Sequence, residues 1–272
     1  MSAPESASPP TPAELYEDVL VTHLFRPLAV EVLKVAAPEP GDRLIDIACG
    51  TGIVLREAAG LQPTLPRLTG IDLNPMMIDV ARSITSQLGL TADLYDVSVE
   101  SLPLESNAYT LAYCQQGLQF FPDPQAALNE INRVLDANGR LVNVTWQSLD
   151  RHPFVSALND VCVEHTGVEA LAAPFSLGDP ESLTSLLTET GFREPAVTQA
   201  TVTISWDDPQ RNTRMLLMGG TAAIPSLQKL TAEERAELVE QIIGNSAPIF
   251  EQHSENGVMT MEWHANVAVA RK

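Results

Sequence analysis

The stretch LIDIACGTG at residues 44–52 constrains the fold more than any other part of the chain. An apolar run that reaches Asp46 and then breaks at Gly50 and Gly52 is typical of a buried strand that turns directly into a helix. Glycine lets the backbone of such a turn approach a ligand closely, because it has no Cβ, and the first amides of the helix are free to bind. The segment therefore predicts a ligand-binding turn at the end of a strand.

Strand and helix signals alternate through the rest of the first half of the chain. Apolar blocks predict strands at 44–49, 67–73, 91–97, 110–114 and 141–146, and helical periodicity lies between them. A helix capped by Asp123 is expected to end near Gly139. Two more strands, 196–206 and 258–270, follow after helical stretches. This order predicts an α/β fold with a doubly wound, seven-stranded, mostly parallel sheet covered by helices.

Two features of composition exclude classes of partner. The chain has 16 Lys and Arg against 35 Asp and Glu, a net charge of -19, which disfavours nucleic acid because such binding depends on basic side chains. No run of about 18 apolar residues predicts a membrane span.

Three separated cysteines without a CxxC pair fit free thiols in a reducing compartment, so we expect a cytoplasmic protein. No metal site is predicted, and a homodimer is left open.

A second acid indicates the kind of ligand. Asp72 ends the second predicted strand 20 residues after Gly52, where a doubly wound fold places an acid on ribose hydroxyls. The dinucleotide pattern GxGxxG is broken, since Leu55 stands at the third glycine, and Asp46 would repel a pyrophosphate. An acid at that point suits a nucleoside with an ammonium group, which is S-adenosylmethionine. A nicotinamide oxidoreductase is therefore a remote alternative.

The chain resembles the class I S-adenosylmethionine-dependent methyltransferases over residues 14–146, and within them the small-molecule group of the ubiquinone and menaquinone biosynthesis type. The resemblance is carried by LIDIACGTG, GIDLNPMM, VESLPL and CQQGLQFFPDPQAALNEINRVLDANGRLV. It implies a Rossmann-like methyltransferase fold with an antiparallel last strand and S-adenosylmethionine as cofactor. Cofactor-binding positions implied for this chain are Tyr16, Asp46, Ala48, Cys49, Gly50, Asp72, Leu73, Met77, Ser98, Val99, Glu100, Gln115 and Gln116. The family often has an acid where this chain has Ser98, so adenine contacts through Ser98 or backbone are expected.

The same resemblance organises the chain into functional segments. We predict a disordered tail at 1–12 without signal-peptide features and a single domain at 13–272. Within it, 13–40 is a helical lid, 41–150 the cofactor-binding core, 151–257 acceptor-side helices and an insertion that includes strand 196–206, and 258–272 the final strand. The acceptor pocket is predicted to be largely apolar, which suits a hydrophobic or aromatic small molecule. Its expected lining is Phe25, Trp146, Phe154, Phe175, Met215, Met218 and His264.

The predicted reaction is methyl transfer, C- or O-methylation being favoured, in quinone, polyketide or other secondary metabolism. The methyl group of a sulfonium is already activated, so the protein has mainly to align the acceptor and exclude water. If the acceptor is a hydroxyl, a general base would help, and His152 or His23 is the candidate. The alternative is a methyltransferase-like protein that uses the bound cofactor for cyclisation, elimination or another non-methyl reaction.

Overall fold

The computed structural model describes residues 9–272, except for the side chains of Ala222 and Ala223. Most of the predicted tail thus lies outside the described residues. Its last two residues do not belong to a tail, because Thr11 caps the first helix through a capping box and Pro12 is the first helical residue. No helix in the described part of the chain is long and apolar enough to cross a membrane.

The central sheet of residues 9–272 has eight strands: β1 Arg43–Ile47, β2 Arg67–Asp72, β3 Asp93–Asp96, β4 Tyr109–Gln115, β5 Leu135–Trp146, β6 Arg193–Trp206, β7 Ser254–Glu255 and β8 Val258–Arg271. Seven of them lie side by side in the order β3-β2-β1-β4-β5-β8-β6. The first five strands run parallel, β8 is antiparallel to both β5 and β6, and the two-residue β7 pairs with β8. The predicted fold class is confirmed, with β7 as an additional short strand.

Helices cover both faces of this sheet. The N-terminal helices form one continuous element, in which α1 (Pro12–Tyr16) passes through a π-helical stretch, Glu17–Phe25, into α2 (Arg26–Val35). The remaining α-helices are α3 Ile53–Leu61, α4 Pro75–Gln87, α5 Pro124–Val134, α6 Pro153–Thr166, α7 Pro180–Glu189, α8 Pro209–Ala223, α9 Ala232–Asn245 and α10 Ala247–His253. Apolar side chains of α2 and α3 fill the core on one face, and those of α5 and α7 fill it on the other.

One predicted boundary is wrong. Helix α5, capped by Asp123 as expected, ends at Val134 rather than near Gly139. The chain becomes extended at Leu135, which is fully buried and pairs with Tyr109 of β4. Leucine fits a buried helix face and a buried strand equally well, so its hydrophobicity could not mark where the helix stops.

Candidate functional site

The site lies at the carboxyl ends of β1 and β4. The strand order reverses between these two strands, and in open α/β sheets ligands bind in the crevice at that point. Ala48 and Gln116, which follow the two strands, have positive φ values of 54° and 58°, so the chain turns sharply at both ends. Glycine is required at position 117, directly after Gln116, because a Cβ there would lie 2.8 Å from the Cβ of Ala48. The crevice is thus bounded by two tight turns.

The glycine turn after β1 is held by the acid at the end of β2. Gly50 and Gly52 both have positive φ, which side chains disfavour, and Gly52 precedes the first turn of α3. The amide of Gly50 donates to Oδ2 of Asp72 at 2.9 Å, and the amide of Asn74 donates to Oδ1 at 2.9 Å. Burial raises the pKa of Asp72, while these two hydrogen bonds oppose the rise. Each carboxylate oxygen keeps a lone pair for a ligand hydroxyl.

Asp46 is an uncompensated acid beneath the turn. Its side chain is 1% exposed and its Oδ2 has no hydrogen-bond partner among the described residues. Burial, reinforced by the charge of Asp72, raises the pKa of Asp46 well above its ordinary value, although Arg56 opposes this. Burial likewise raises the pKa of the neighbouring Cys49 thiol. A buried acceptor without a partner is costly, so a ligand that supplies a cation or donor would be bound favourably.

The thirteen predicted cofactor positions come together around two adjoining cavities. The larger has a volume of about 360 Å³ and is lined by all of them except Asp46 and Cys49. Those two line a small adjoining cavity of about 30 Å³, which shares Tyr16, Ala48, Gly50 and Gln115 with the larger one. At the far end, the hydroxyl of Ser98 accepts from the amide of Glu100 at 3.2 Å. Residues that the sequence reasoning missed are Ile71, Asn74, Val97, Gly117, Phe120, Phe121 and Pro122. Of these, Gly117, Phe120, Phe121 and Pro122 belong to the CQQGLQFFPD segment, in which only Gln115 and Gln116 were predicted to bind the cofactor.

The N-terminal helix closes one side of these cavities. Glu17 pairs with Arg56 at 2.7 Å and accepts a hydrogen bond from the Thr51 hydroxyl, which ties the π-helical stretch to the glycine turn. Gln115 of β4 donates to the carbonyl of Phe25 at 3.2 Å. Tyr16 stacks on Phe25 with ring centroids 5.5 Å apart and lines both cavities. The helix is therefore fixed to the strand ends by an ion pair and several hydrogen bonds.

A third cavity, of about 230 Å³, adjoins the larger one across Tyr16, Gln116 and Phe120. Its wall is almost entirely apolar, and Tyr16 is the one side chain with an ionisable group among its lining residues in the described structure. Burial raises the pKa of that phenol, so it stays neutral. Of the predicted acceptor residues, Phe25, Trp146, Phe175 and Met215 line this cavity. Residues that were missed include Leu20, Leu24, Leu171, Leu216 and Trp263.

Three predicted acceptor residues do not line the cavity. Met218 packs against the core from α8, and Phe154 is buried beside Trp206 and Phe250. His264 lines a separate cavity, and its Nδ1 lies 3.0 Å from the Thr201 hydroxyl. Neighbouring residues of a strand face opposite sides of the sheet, which is why Trp263 rather than His264 reaches the apolar cavity.

The two histidines proposed as bases are also misplaced for that role. His152 is 2% exposed, its Nδ1 lies 3.2 Å from the Ser148 carbonyl, and its Nε2 accepts from the amide of His264 at 3.1 Å. Burial lowers the pKa of His152 to about 4, so the ring is neutral and both nitrogens are occupied. His23 is half-buried on the π-helical stretch and lines none of the three adjoining cavities. Neither histidine lines the apolar acceptor cavity.

Comparisons with known proteins agree with this geometry. Residues 45–143 match the family described as "Methyltransferase domain". A "Ubiquinone biosynthesis O-methyltransferase" of Xanthomonas axonopodis pv. citri is 30% identical over 144 residues, which cover 53% of this chain and 58% of that one. Residues 45–143 of the chain therefore form a methyltransferase domain. The chain spans less than two thirds of the length of the first curated relatives that it matches.

Solved structures show the same fold around this methyltransferase domain. A Haemonchus contortus phosphoethanolamine N-methyltransferase in complex with S-adenosylhomocysteine superposes with a TM-score of 0.58 at 17% identity, covering 96% of this chain and 56% of that one. The cyclase SpnF superposes with a TM-score of 0.56 at 20% identity, covering 98% and 97%. At such identities the likeness establishes the fold alone.

The residues of this chain fit S-adenosylmethionine, the cofactor of the domain family. The unpartnered oxygen of Asp46 suits the ammonium of the methionine part, and the free lone pairs of Asp72 suit ribose hydroxyls. Leu73 is 71% exposed at the rim and Met77 is half-buried, so both offer apolar surface to a flat ring. The glycine turn leaves room for the backbone to approach the ligand.

Proposed function

We propose that the protein transfers the methyl group of S-adenosylmethionine to a hydrophobic or aromatic small molecule, by C- or O-methylation. The observation that carries this proposal is the contact between the two larger cavities. One is lined by Asp72 and the glycine turn, the other has an apolar wall, and they share Tyr16, Gln116 and Phe120. An acceptor in the apolar cavity would therefore lie next to the cofactor cleft.

The dimensions of the apolar cavity limit the acceptor. A cavity of about 150 Å³ holds benzene, so the 230 Å³ here suits a substituted ring or a compact two-ring system. Trp146 and Trp263, with ring centroids 4.8 Å apart, offer flat surfaces for such a ring. A larger molecule would have to extend out of the cavity.

The chain's own contribution to the reaction is to orient and to exclude water. The bound cofactor supplies an activated methyl group. Asp46 and Asp72 hold its polar ends, and the helix from Tyr16 to Phe25 covers the boundary between the cavities. We also propose that 13–40 acts as a lid, that 151–257 supplies most of the acceptor wall, and that 13–272 is one domain.

The experiment is an incubation with methyl-labelled S-adenosylmethionine and a panel of phenols, quinones and polyketides, followed by mass spectrometry. We expect a labelled product from compact aromatic members of the panel. The Asp46→Asn variant is the control, because loss of the cofactor contact should suppress the product. Calorimetry should detect binding of S-adenosylhomocysteine but not of NAD. Binding of NAD alone, or label transfer that is independent of Asp46, would contradict the proposal.

A second candidate is a non-methyl reaction such as cyclisation or elimination. It is favoured by the similarity to the cyclase SpnF over nearly the whole chain, together with an apolar cavity that has no histidine or acid on its wall. The same incubations separate the two functions. Methyl transfer replaces a hydrogen of the substrate by a methyl group, a net gain of CH₂, whereas cyclisation leaves the mass unchanged and elimination lowers it, and neither consumes the cofactor.

A further inference from the structure

Gln116 lies at the boundary between the cofactor cleft and the apolar cavity, and its side-chain nitrogen has no hydrogen-bond partner among the described residues. The residue lines both cavities, and its Nε2 is buried with no hydrogen-bond partner in the described structure. A buried donor left unpaired costs about 1–3 kcal/mol. A native protein keeps such a group at a ligand site when the ligand satisfies it.

The amide of Gln116 is paired with a neighbouring amide. Gln119, on the short turn Leu118–Phe120, donates through its Nε2 to Oε1 of Gln116 at 2.6 Å, while its own Oε1 is buried without a partner among the described residues. In this arrangement the free end of the Gln116 amide is the NH₂ group. The backbone reinforces the position, since Gln116 has a φ of 58° and its own amide donates to the Val144 carbonyl at 2.8 Å. Strain of this kind is concentrated at functional sites.

The surroundings decide what the free NH₂ group can bind. The apolar cavity has no basic, acidic or histidine side chain among its described lining residues, and its one phenol, Tyr16, is held neutral. No group on this wall can therefore remove a proton from a neutral hydroxyl. An acceptor that is already ionised needs no base, and its oxygen would be an acceptor for the NH₂ group of Gln116.

We propose that Gln116 donates through Nε2 to the oxygen of an acceptor that enters as a phenolate or enolate, and that Gln119 is the positioning residue that keeps this donor in place. The inference rests on the proposed function. In the transfer, the oxygen or the conjugated carbon of the anion forms a bond to the methyl carbon. The carbon–sulfur bond breaks, and its electron pair stays on sulfur. The anion and the sulfonium thus become neutral together, and no proton is released.

The test reverses the polarity of the amide pair. Gln119→Glu keeps the size of the side chain but offers only acceptor oxygens, so the Gln116 amide should turn its NH₂ group toward the new carboxylate and present Oε1 to the ligand. The probes are para-nitrophenol, studied as the phenolate, and para-nitroaniline, a neutral compound of similar shape that can only donate from its amine. Binding is measured with S-adenosylhomocysteine saturating.

The wild-type protein should prefer the phenolate to the aniline. Gln119→Glu should weaken phenolate binding by about tenfold or more, because the phenolate oxygen loses a charge-assisted hydrogen bond from the NH₂ group, and should strengthen aniline binding, because the aniline amine can then donate to Oε1 of Gln116. The added negative charge alone would weaken the phenolate without improving the neutral aniline, so the aniline result separates the two causes. Gln119→Met, which cannot orient the amide, should give intermediate selectivity. The absorption of the bound phenolate should show an apparent pKa that is higher in Gln116→Met than in the wild type.

The outcomes distinguish this inference from the proposed function. If S-adenosylhomocysteine does not bind the wild-type protein, the proposed function fails. If it binds but neither probe enters the cavity, or if the ratio of phenolate to aniline affinity is the same in the wild type and Gln119→Glu, the role of the amide pair is refuted. Thermal unfolding of each variant establishes that it is folded before binding is measured.

Discussion

Replacing Asp46 by Asn tests the cofactor site most directly, because the variant should lose affinity for the cofactor but gain stability in the absence of ligand. The carboxyl is 1% exposed and has an oxygen without a partner, so it should form a charge-assisted hydrogen bond with the ammonium of the cofactor. Such a bond is worth about 1.5–3 kcal/mol, so the affinity for S-adenosylhomocysteine should fall by roughly ten- to a hundredfold. Calorimetry measures this loss. Asp79→Asn, which removes an acid that is 75% exposed on α4, is the matched control and should leave the affinity unchanged.

The ligand-free Asp46→Asn protein should be more stable than the wild type at neutral pH. Burial raises the pKa of Asp46 in the folded state above the ordinary 3.8, so the folded protein loses stability as the pH rises from 3.8 to that raised pKa and keeps the full penalty above it. Below 3.8 the carboxyl is protonated in both states and the stability difference should disappear. Thermal unfolding across pH measures this. An unchanged affinity, or a variant that loses both stability and affinity, would refute the assignment of Asp46 to the ammonium.

Further predictions concern the turns, the histidine and the lid. Asp72→Ala removes the acceptor of two backbone amides as well as the ribose contact, so S-adenosylhomocysteine affinity, measured by calorimetry, should fall at least about tenfold and the unfolding temperature should also fall. Gly117→Ala places a Cβ 2.8 Å from that of Ala48 and should cost about 1–3 kcal/mol in unfolding free energy and weaken cofactor binding, whereas Gly60→Ala, with open space around it, should do neither. Because the folded-state pKa of His152 is about 4 instead of 6.5, its contribution to stability should be lost as the pH falls through that window, and His152→Phe should lack this part of the slope in urea unfolding. Deleting residues 1–27 should leave the α/β core folded but abolish turnover, and hydrogen exchange should show added protection of 13–27 on S-adenosylhomocysteine binding.

The predicted cofactor positions come together in the structure because the sequence pattern that marks them is local. A buried strand, a glycine turn and a helix start occupy a few consecutive residues, so Asp46, Gly50 and the end of the next strand could be placed together without knowing the rest of the fold. Asn74 and Phe120, which also line the larger cavity, lie in the segments GIDLNPMM and CQQGLQFFPD, where neither of them was predicted to bind the cofactor. Asn74 caps α4, since its side chain accepts from the Met76 amide at 3.0 Å.

The acceptor side was harder to predict because it depends on which face of each element points inward. In β8 a shift of one residue exchanges His264 for Trp263, and in α8 Met215 lines the cavity while Met218, one turn later, packs on the core. Hydrophobic periodicity predicts that a face is buried but not against what. The buried position of His152 was hard to predict for a related reason. Its hydrogen bond with the amide of His264 joins residues 112 apart, which no local pattern indicates.

The two sides of the site differ in how tightly the fold constrains them. The cofactor cleft is built from strand ends and turns in which one added methyl group would collide, as at Gly117, whose Cβ would lie 2.8 Å from the Cβ of Ala48. The apolar cavity is walled largely by side chains of helices and of the segment between β5 and β6, where a change in volume alters the cavity without moving a strand. Tyr16, Gln116 and Phe120 belong to both. Selectivity for the acceptor can therefore change through the helical wall, whereas a change at these three boundary residues acts on cofactor and acceptor together.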